Sequence, residues 1–390
     1  MTRHIALYSA VHDMLTHYAV DVDAATLTKR GTIKVAAKVQ YAWPAPSHGH
    51  LYVSTSNGGP RLESDHNHVT AYAIADDGVL TQHGEPRSLT RRAVHMCLDP
   101  RGEYALNGHN FPESRITVHR IAPDGTVGAE VEQASNLDFG IYPHQVMAFP
   151  SGRTALIVDR GIAAKAGRPE QPGALRSFGF ANGILSAGQV IAPNGGYGFG
   201  PRHIVFHPSM PWMFASDERM NRLYMFRFDG NDRMEAEPAY TREMLAEPEN
   251  RRPRQLGGPI HLHPNGRFLY VANRADSTVE VAGKKVFGGG ENSIAVFSID
   301  PQTGEPTPIQ HADTRSVHVR TFACDPSGRL LVTASIKPYQ VLQGGQPTPM
   351  PAALTVFRIR DDGQLEFAYK CPVETPGDQL QYWMGMTGAG

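Results

Sequence analysis

Histidine and arginine side chains stand at corresponding points of a repeated strand pattern, and these residue types suit acid–base chemistry on an anion. The starts of short apolar strands carry His95, His144, Arg202, His203, His261 and Arg320, and the ends of the strands that follow carry Asp159, Asp217, Glu218 and Arg274. Arginine binds carboxylate or phosphate through paired hydrogen bonds, and an imidazole titrates at about pH 6.5. The set therefore indicates proton transfer on a bound anionic substrate.

The strands that carry these residues belong to a repeat of two alternating phrases. The first phrase is an apolar strand, a turn around a proline and a second apolar strand. Its six turn prolines, spaced 50 to 62 residues apart, are Pro46, Pro100, Pro150, Pro208, Pro264 and Pro326. The second phrase occurs seven times, and its DDG, PDG and NG turns between alternating strands are typical of β-hairpins. One copy of each phrase makes four antiparallel strands.

This repeat predicts an all-β fold, a seven-bladed β-propeller of four-stranded antiparallel blades, as a single domain over residues 1–390. Six copies of the first phrase against seven of the second imply that one blade is shared by the two chain ends. We expect residues 380–386 (LQYWMGM) to supply its inner strand and HIALYSA near the N-terminus to supply the next one. Pairing the two ends leaves no open sheet edge.

The phase of the repeat also predicts where the polar residues meet. In a four-stranded meander, the start of the first strand and the end of the second lie on the same face of the blade. The histidines, arginines and acids above should therefore surround one opening of the central channel. The longest connections, residues 57–67, 159–172, 275–292 and 336–352, fall on this face, and long loops on a rigid scaffold commonly bind ligands.

Composition excludes several classes of partner and compartment. A net charge of −1 argues against nucleic acid or an anionic membrane bound by charge. We find no apolar run long enough for a signal peptide or a membrane span. The three cysteines stand far apart with no CxxC motif, so we expect reduced thiols and a cytoplasmic protein. The histidine-rich segments HDMLTH and SDHNHVT lack clean ligand spacing, so we expect neither a metal nor a cofactor.

Three phrases resemble the lactonase family of seven-bladed propellers, which includes bacterial propeller-type 6-phosphogluconolactonases and fungal carboxy-cis,cis-muconate cyclases. They are GPRHIVFHP, FLYVANRADS with the later SIAVFSID, and PHQV followed by IVDRG. The resemblance implies active-site roles for His144, Arg202, Glu218 and Arg274. Arg320 stands where the family usually has an arginine, although its neighbours differ, and Pro259 replaces an acidic residue frequent in the family.

On this basis we expect a lactone-ring hydrolase that acts on an anionic sugar or carboxylic-acid lactone. The expected catalytic residues are His144 and Glu218, as an acid–base pair, and Arg274. The expected substrate-binding residues, an arginine clamp with its neighbours, are His95, Arg202, His203, Asp217, His261 and Arg320. The only partner we expect is a small anionic lactone or carboxylate, and the chain is expected to be a monomer or homodimer.

Three other functions remain open from the sequence. A cycloisomerase interconverting a muconate-type carboxylate and its lactone would use the same groups to move a proton beside a carboxylate. A non-catalytic propeller would bind a protein partner through its rim loops. An oxidoreductase propeller would need a quinone or a haem, and the CxxCH motif for covalent haem is absent.

Overall fold

The chain folds into a ring of seven antiparallel sheets. The computed structural model describes residues 4–388, in which seven four-stranded sheets follow one another along the chain. Each innermost strand contacts the innermost strands of the two neighbouring sheets, and the seventh sheet contacts the first. The predicted all-β seven-bladed propeller is therefore confirmed. The described helical elements are two 3₁₀ turns, Pro193–Gly196 and Pro248–Asn250, and no described helix could cross a membrane.

The strands of each blade are given from the channel outwards. Blade 1 contains β32 (Gln381–Gly388), β1 (Ile5–Val11), β2 (Met14–Asp21) and β3 (Thr26–Lys34). Blade 2 contains β4 (Lys38–Pro44), β5 (His50–Ser56), β6 (Asn67–Ile74) and β7 (Leu80–Ser88). Blade 3 contains β8 (Ala93–Leu98), β9 (Tyr104–Asn110), β10 (Ser114–Ile121) and β11 (Val127–Val131). Blade 4 contains β12 (Pro143–Ala148), β13 (Thr154–Asp159), β14 (Ala174–Ala181) and β15 (Ile184–Ile191).

The remaining three blades follow the same order. Blade 5 contains β16 (Pro201–Phe206), β17 (Trp212–Asp217), β18 (Arg222–Arg227) and β19 (Tyr240–Glu243). Blade 6 contains β20 (Gln255–Leu262), β21 (Phe268–Ala275), β24 (Ser293–Ile299) and β25 (Pro306–Asp313). Blade 7 contains β26 (Val319–Cys324), β27 (Leu330–Ser335), β30 (Ala353–Ile359) and β31 (Leu365–Pro372).

Blade 1 is closed by the two ends of the chain, as the repeat predicts. Strand β32 pairs antiparallel with β1, from Ile5 opposite Gly388 to Val11 opposite Gln381. The Gln381 side chain donates a hydrogen bond of 2.8 Å to the Ser9 hydroxyl. The inner strand therefore comes from the C-terminus and its neighbour from the N-terminus, which closes the ring by backbone pairing.

Two of the long connections are more ordered than loops. The connection in blade 6 forms a hairpin of β22 (Thr278–Val281) and β23 (Lys284–Phe287), and that in blade 7 forms a hairpin of β28 (Tyr339–Gln343) and β29 (Gln346–Met350). Strand β23 contacts β28, so the two hairpins pack together beside the channel opening. Their Ala-Gly and Gly-Gly turns have positive φ at both central residues, which is the backbone of a type I′ turn.

Apolar side chains fill the space between neighbouring blades. Leu106 and Val118 of blade 3, for example, belong to one buried cluster with Ile157 and Phe178 of blade 4. Hydrogen bonds between blades add to this packing, since Tyr52 of blade 2 donates to the carbonyl of Gly125 in blade 3 at 2.8 Å. This rigid ring holds the channel opening in place.

Candidate active site

Every innermost strand carries one extra residue close to its start, so that its pairing with the second strand slips by one position. Such a β-bulge bends the strand and re-aims side chains, and bulges are frequent next to active sites. We call the channel opening at these bulges the mouth. The bulged residues, in blade order, are Tyr382, Gln40, Val94, His144, Arg202, Gly258 with Pro259, and Arg320.

A second set of side chains reaches the mouth from the second strands of blades 4, 5 and 6. In each of these blades, one residue of the second strand pairs with the last residue of the innermost strand before the bulge. The next residue along the chain is charged. These three residues are Arg160, Glu218 and Arg274. They occupy equivalent positions in successive blades, which explains why residues 56 to 58 positions apart in the chain come into contact.

The carboxylate of Glu218 organises the arginines of the mouth. Its Oε1 accepts a hydrogen bond of 3.1 Å from Nε of Arg202 and another from Arg274. Its Oε2 accepts a hydrogen bond from Arg160. Glu218, Arg202 and Arg274 are 4%, 1% and 2% exposed, so these charges are almost fully removed from water. Both oxygens of Glu218 are thus occupied, which makes it a holder of guanidinium groups and a poor proton acceptor.

Positive charge at the mouth exceeds negative charge. Burial, and then the neighbouring Arg274 and Arg320, lower the pKa of Arg202 well below its ordinary value. Burial followed by Arg320 lowers the pKa of Arg274 to about 9. Guanidinium groups keep their proton in proteins, so these shifts express how unfavourable the accumulated charge is. A bound anion would relieve that repulsion.

Histidines form a row beside the arginines. The ring centroid of His203 lies 5.0 Å from that of His144 and 5.7 Å from that of His95. Burial, and then Arg202, lower the pKa of His144 and His203 well below the ordinary value and that of His95 to about 3. These imidazoles are therefore neutral at neutral pH, and Nδ1 of His144 has no hydrogen-bond partner within residues 4–388.

Arg320 differs from the other predicted arginine at a bulge, Arg202, which pairs with Glu218, in having no carboxylate partner in the described chain. It is partly exposed, and its guanidinium carbon lies 4.2 Å from the ring centroid of Tyr382. A guanidinium over an aromatic face gains a cation–π interaction and keeps its N–H donors available. Arg320 is thus placed to contact an incoming anion.

The structure leaves two predicted binding residues outside this cluster of contacts. The Asp217 carboxylate is fully buried and accepts backbone N–H groups from Gly200, Arg219 and Met220 at 2.7–2.8 Å. It therefore fastens the end of β17, and its oxygens are not directed at a ligand. His261 packs against Phe322 with ring centroids 4.8 Å apart, and burial lowers its pKa to about 4.

A chain of polar contacts continues from the mouth towards the hairpins. His318 places Nε2 at 3.4 Å from Arg274 and Nδ1 at 3.2 Å from Asp276. Asp276 in turn receives two hydrogen bonds, of 2.5 and 2.7 Å, from Arg254. Asp276 thus pairs directly with Arg254, whereas Glu218 is the only carboxylate within residues 4–388 that forms an ion pair with Arg274. This chain fixes the position of the Arg274 side chain.

Sequence reasoning missed three charged or aromatic residues of the mouth, Arg92, Arg160 and Tyr382. Arg92 donates hydrogen bonds of 3.0 and 3.1 Å to Gln40 and Asn110, Arg160 bonds Glu218, and Tyr382 lies under Arg320. The repeat already contained a signal for two of them. Arg160 stands where Glu218 and Arg274 stand in their blades, and Tyr382 stands where His144, Arg202 and Arg320 stand.

The family model described as "Lactonase, 7-bladed beta-propeller" matches residues 4–341. This protein belongs to the lactonase family. It is accordingly an enzyme of the lactonase type, and the resemblance noted in its sequence is confirmed. The matched region contains every bulged mouth residue except Tyr382.

Individual relatives of this lactonase are distant. A 6-phosphogluconolactonase from Bacillus subtilis is 26% identical over 250 residues, which is 62% of either chain and thus somewhat under two thirds of that relative's length. A 6-phosphogluconolactonase from Pectobacterium carotovorum is 27% identical over 80% of this chain and 81% of its own. The periplasmic gluconolactonase of Pseudomonas aeruginosa has the same fold, with a TM-score of 0.71 at 21% identity over 96% of this chain and 98% of its own.

The buried histidines make the stability of this lactonase depend on pH and decrease in acid. Burial lowers the pKa of His109 to about 3 and that of His119 to about 4, while the unfolded chain binds these protons at about pH 6.5. The contribution of these two neutral histidines to stability is therefore fully present above pH 6.5, and it is lost as the pH falls towards their lowered pKa values. We expect the free energy of unfolding to drop by about 1.4 kcal/mol per pH unit for each such histidine.

Urea unfolding between pH 7.5 and 5 tests this dependence, because most carboxylates stay ionised in that range. The His109→Gln variant is expected to show a shallower slope than the wild-type protein, since it has one fewer histidine to protonate on unfolding. A free energy of unfolding that does not change over this range would contradict the expectation.

Proposed function

We propose that this lactonase hydrolyses a sugar or carboxylic-acid lactone that carries an anionic group, such as a phosphate or a carboxylate. The observation that carries the proposal is the excess of cations at the mouth, where one carboxylate, Glu218, serves three arginines. Arg92 and Arg320 add two guanidinium groups that have no acidic partner in the described chain. The names of the relatives, 6-phosphogluconolactonase and gluconolactonase, support a sugar lactone as the substrate class.

His144 is the proposed general base. Its imidazole is neutral because burial and Arg202 lower its pKa, and its Nδ1 is unbonded within residues 4–388. A neutral imidazole can accept a proton from the water that attacks the lactone carbonyl. An anionic substrate would offset the surrounding arginine charge and so raise the pKa of His144 towards the working pH.

The arginines are proposed to bind the substrate and to stabilise the transition state. Arg202 faces the mouth from blade 5, where its N–H groups can bind the oxyanion that forms on the carbonyl oxygen. Arg320 faces the mouth from blade 7, where its guanidinium can bind the anionic group of the substrate. Glu218 is proposed to hold Arg160, Arg202 and Arg274 in place, because both of its oxygens bond guanidinium groups. We therefore replace the expected acid–base pair of His144 and Glu218 by a base, His144, and a positioning residue, Glu218.

Substrate charge provides the test. We expect a phosphorylated sugar lactone to be hydrolysed with a much lower KM than the same lactone without phosphate, and Arg320→Gln to raise that KM by about 10- to 100-fold, the value of a hydrogen bond to a charged group. For the uncharged lactone, Arg320→Gln should raise the KM much less. Initial rates of proton release at constant pH give the KM for each lactone. The control is Arg222→Gln, at an exposed ion pair with Glu243.

The same assay separates the alternatives. Equal KM values for charged and uncharged lactones, or equal losses in Arg320→Gln, would contradict an anionic substrate. Ultraviolet absorbance during incubation with muconates would reveal ring closure, in which case the protein is a cycloisomerase. Absence of turnover with all lactones and muconates would favour a binding platform.

We also propose the cytoplasm as the compartment. The cysteines Cys97, Cys324 and Cys371 are free, and Cys97 is fully buried as a thiol, which suits a reducing environment. Recovery of the protein from a periplasmic fraction of its native cells would contradict this assignment.

A further inference from the structure

Tyr382 occupies the same structural position as the predicted site residues. It is the bulged residue of β32, as His144 is of β12 and Arg202 is of β16. It lies outside residues 4–341, the part of the chain that the family model matches. Its place at the mouth follows from strand β32, which pairs with β1 to close blade 1.

Arginines surround the phenol of Tyr382. The guanidinium carbon of Arg320 is 4.2 Å from the centre of its ring, and Arg92 and Arg202 are close enough to act on its charge. Burial alone raises the pKa of Tyr382, but these three arginines together bring it below the ordinary value of 10.0. The other shifted tyrosines, such as Tyr72 with a pKa of about 12, move in the opposite direction.

Tyr382 is accessible at the border between blades 1 and 2. The side chain is partly exposed, and it lines a cavity of 170 Å³ together with Gln40, Lys38 and the loop at Gly58 to Pro60. Blade 1, which carries Tyr382, stands three blades from blade 4, which carries His144, and three is the largest separation in a ring of seven. The phenol and the imidazole therefore face the mouth from opposite sides.

We infer that Tyr382 is a further catalytic residue, which donates a proton to the ring oxygen of the lactone as that oxygen departs. The inference rests on the proposed lactone hydrolysis and adds the acid that this reaction lacks. An alkoxide is a poor leaving group at neutral pH, so a proton donor on its side of the ring accelerates the cleavage. Glu218 cannot serve, because arginines occupy both of its oxygens.

The step balances with water as the only co-reactant. The water oxygen bonds to the carbonyl carbon, and its proton passes to His144. The bond between that carbon and the ring oxygen breaks, and the ring oxygen takes the phenol proton of Tyr382. The arginines around the resulting tyrosinate stabilise its charge. The proton on His144 returns to Tyr382 through solvent, and the product is the open hydroxy acid.

The test compares two lactones whose ring oxygens differ in basicity. For an alkyl lactone, in which an alkoxide leaves, we expect Tyr382→Phe to lower kcat by about 10²-fold or more with little change in KM. For an aryl lactone, in which a phenolate leaves without needing a proton, we expect a loss below about tenfold. The wild-type rate should also fall as the pH rises through the pKa of Tyr382, and this fall should be missing in Tyr382→Phe.

Tyr72→Phe is the matched control, since Tyr72 is a buried tyrosine of β6 away from the mouth, and it should keep both rates. An unchanged alkyl-lactone rate in Tyr382→Phe, or equal losses on the two lactones, would overturn the inference and leave the proposed function intact. A wild-type protein that hydrolyses neither lactone would remove the proposed function, and the inference with it.

Discussion

The His144→Gln variant is expected to lose about 10²- to 10⁴-fold in kcat, the usual contribution of a general base. Glutamine approximates the volume of histidine but does not take up a proton near neutral pH. Because Nδ1 of His144 makes no hydrogen bond within residues 4–388, the substitution breaks no bond at that atom, and thermal unfolding should shift little. Initial rates on a phosphorylated sugar lactone, together with a thermal melt, measure both effects.

The pH profile distinguishes a base from a merely structural histidine. The base must be neutral, so activity falls when the pH drops through the pKa of His144. In the free enzyme that pKa lies well below 6.5, mainly because of burial and then because of Arg202. A bound anion offsets the arginine charge, so the acid limb of kcat should lie at a higher pH than the acid limb of kcat/KM.

His119→Gln supplies the control for this experiment. His119 is 1% exposed and has a pKa lowered to about 4, but it lies on β10, away from the innermost strands. The His119→Gln variant should retain the wild-type kcat. A His144→Gln enzyme with the kcat of the control would remove His144 from the mechanism.

The second large effect concerns stability. Glu218→Gln removes the one carboxylate that Arg160, Arg202 and Arg274 share, and it leaves buried guanidinium groups uncompensated. Breaking a buried ion pair from one side costs about 3–5 kcal/mol, so we expect a loss of that size in the free energy of unfolding. Chemical denaturation of the variant and the wild-type protein measures it.

Two comparisons show whether charge is the cause. Glu243→Gln removes the partner of Arg222 at an exposed pair, with both side chains more than 40% accessible, and it should cost at most about 1 kcal/mol. Phosphate should restore part of the stability of Glu218→Gln, since an anion that binds only the folded arginine cluster stabilises it by mass action. Equal losses in Glu218→Gln and Glu243→Gln, or no response to phosphate, would contradict this role of Glu218.

The hairpins beside the mouth show how far local patterns reach. The segments VAGKKVF and VLQGGQP contain Ala-Gly and Gly-Gly between alternating residues, which is a hairpin signal. Because these segments are also long and rich in glycine, the sequence alone favours loop insertions, and the structure shows hairpins instead. Contact between β23 and β28 could not be inferred in any case, because it depends on how blades 6 and 7 are oriented.

The sequence alone determined the class of fold, the blade count, the closure by both chain ends and the strand positions that meet at the mouth. These follow from a local pattern of apolar strands and turns that recurs along the chain. Only the tertiary structure showed that both oxygens of Glu218 are occupied, that Asp217 is used by the backbone, and that Tyr382 lies under Arg320. Bulge positions and charge balance depend on pairing and distances between blades, and residues far apart in the chain carry no local record of them.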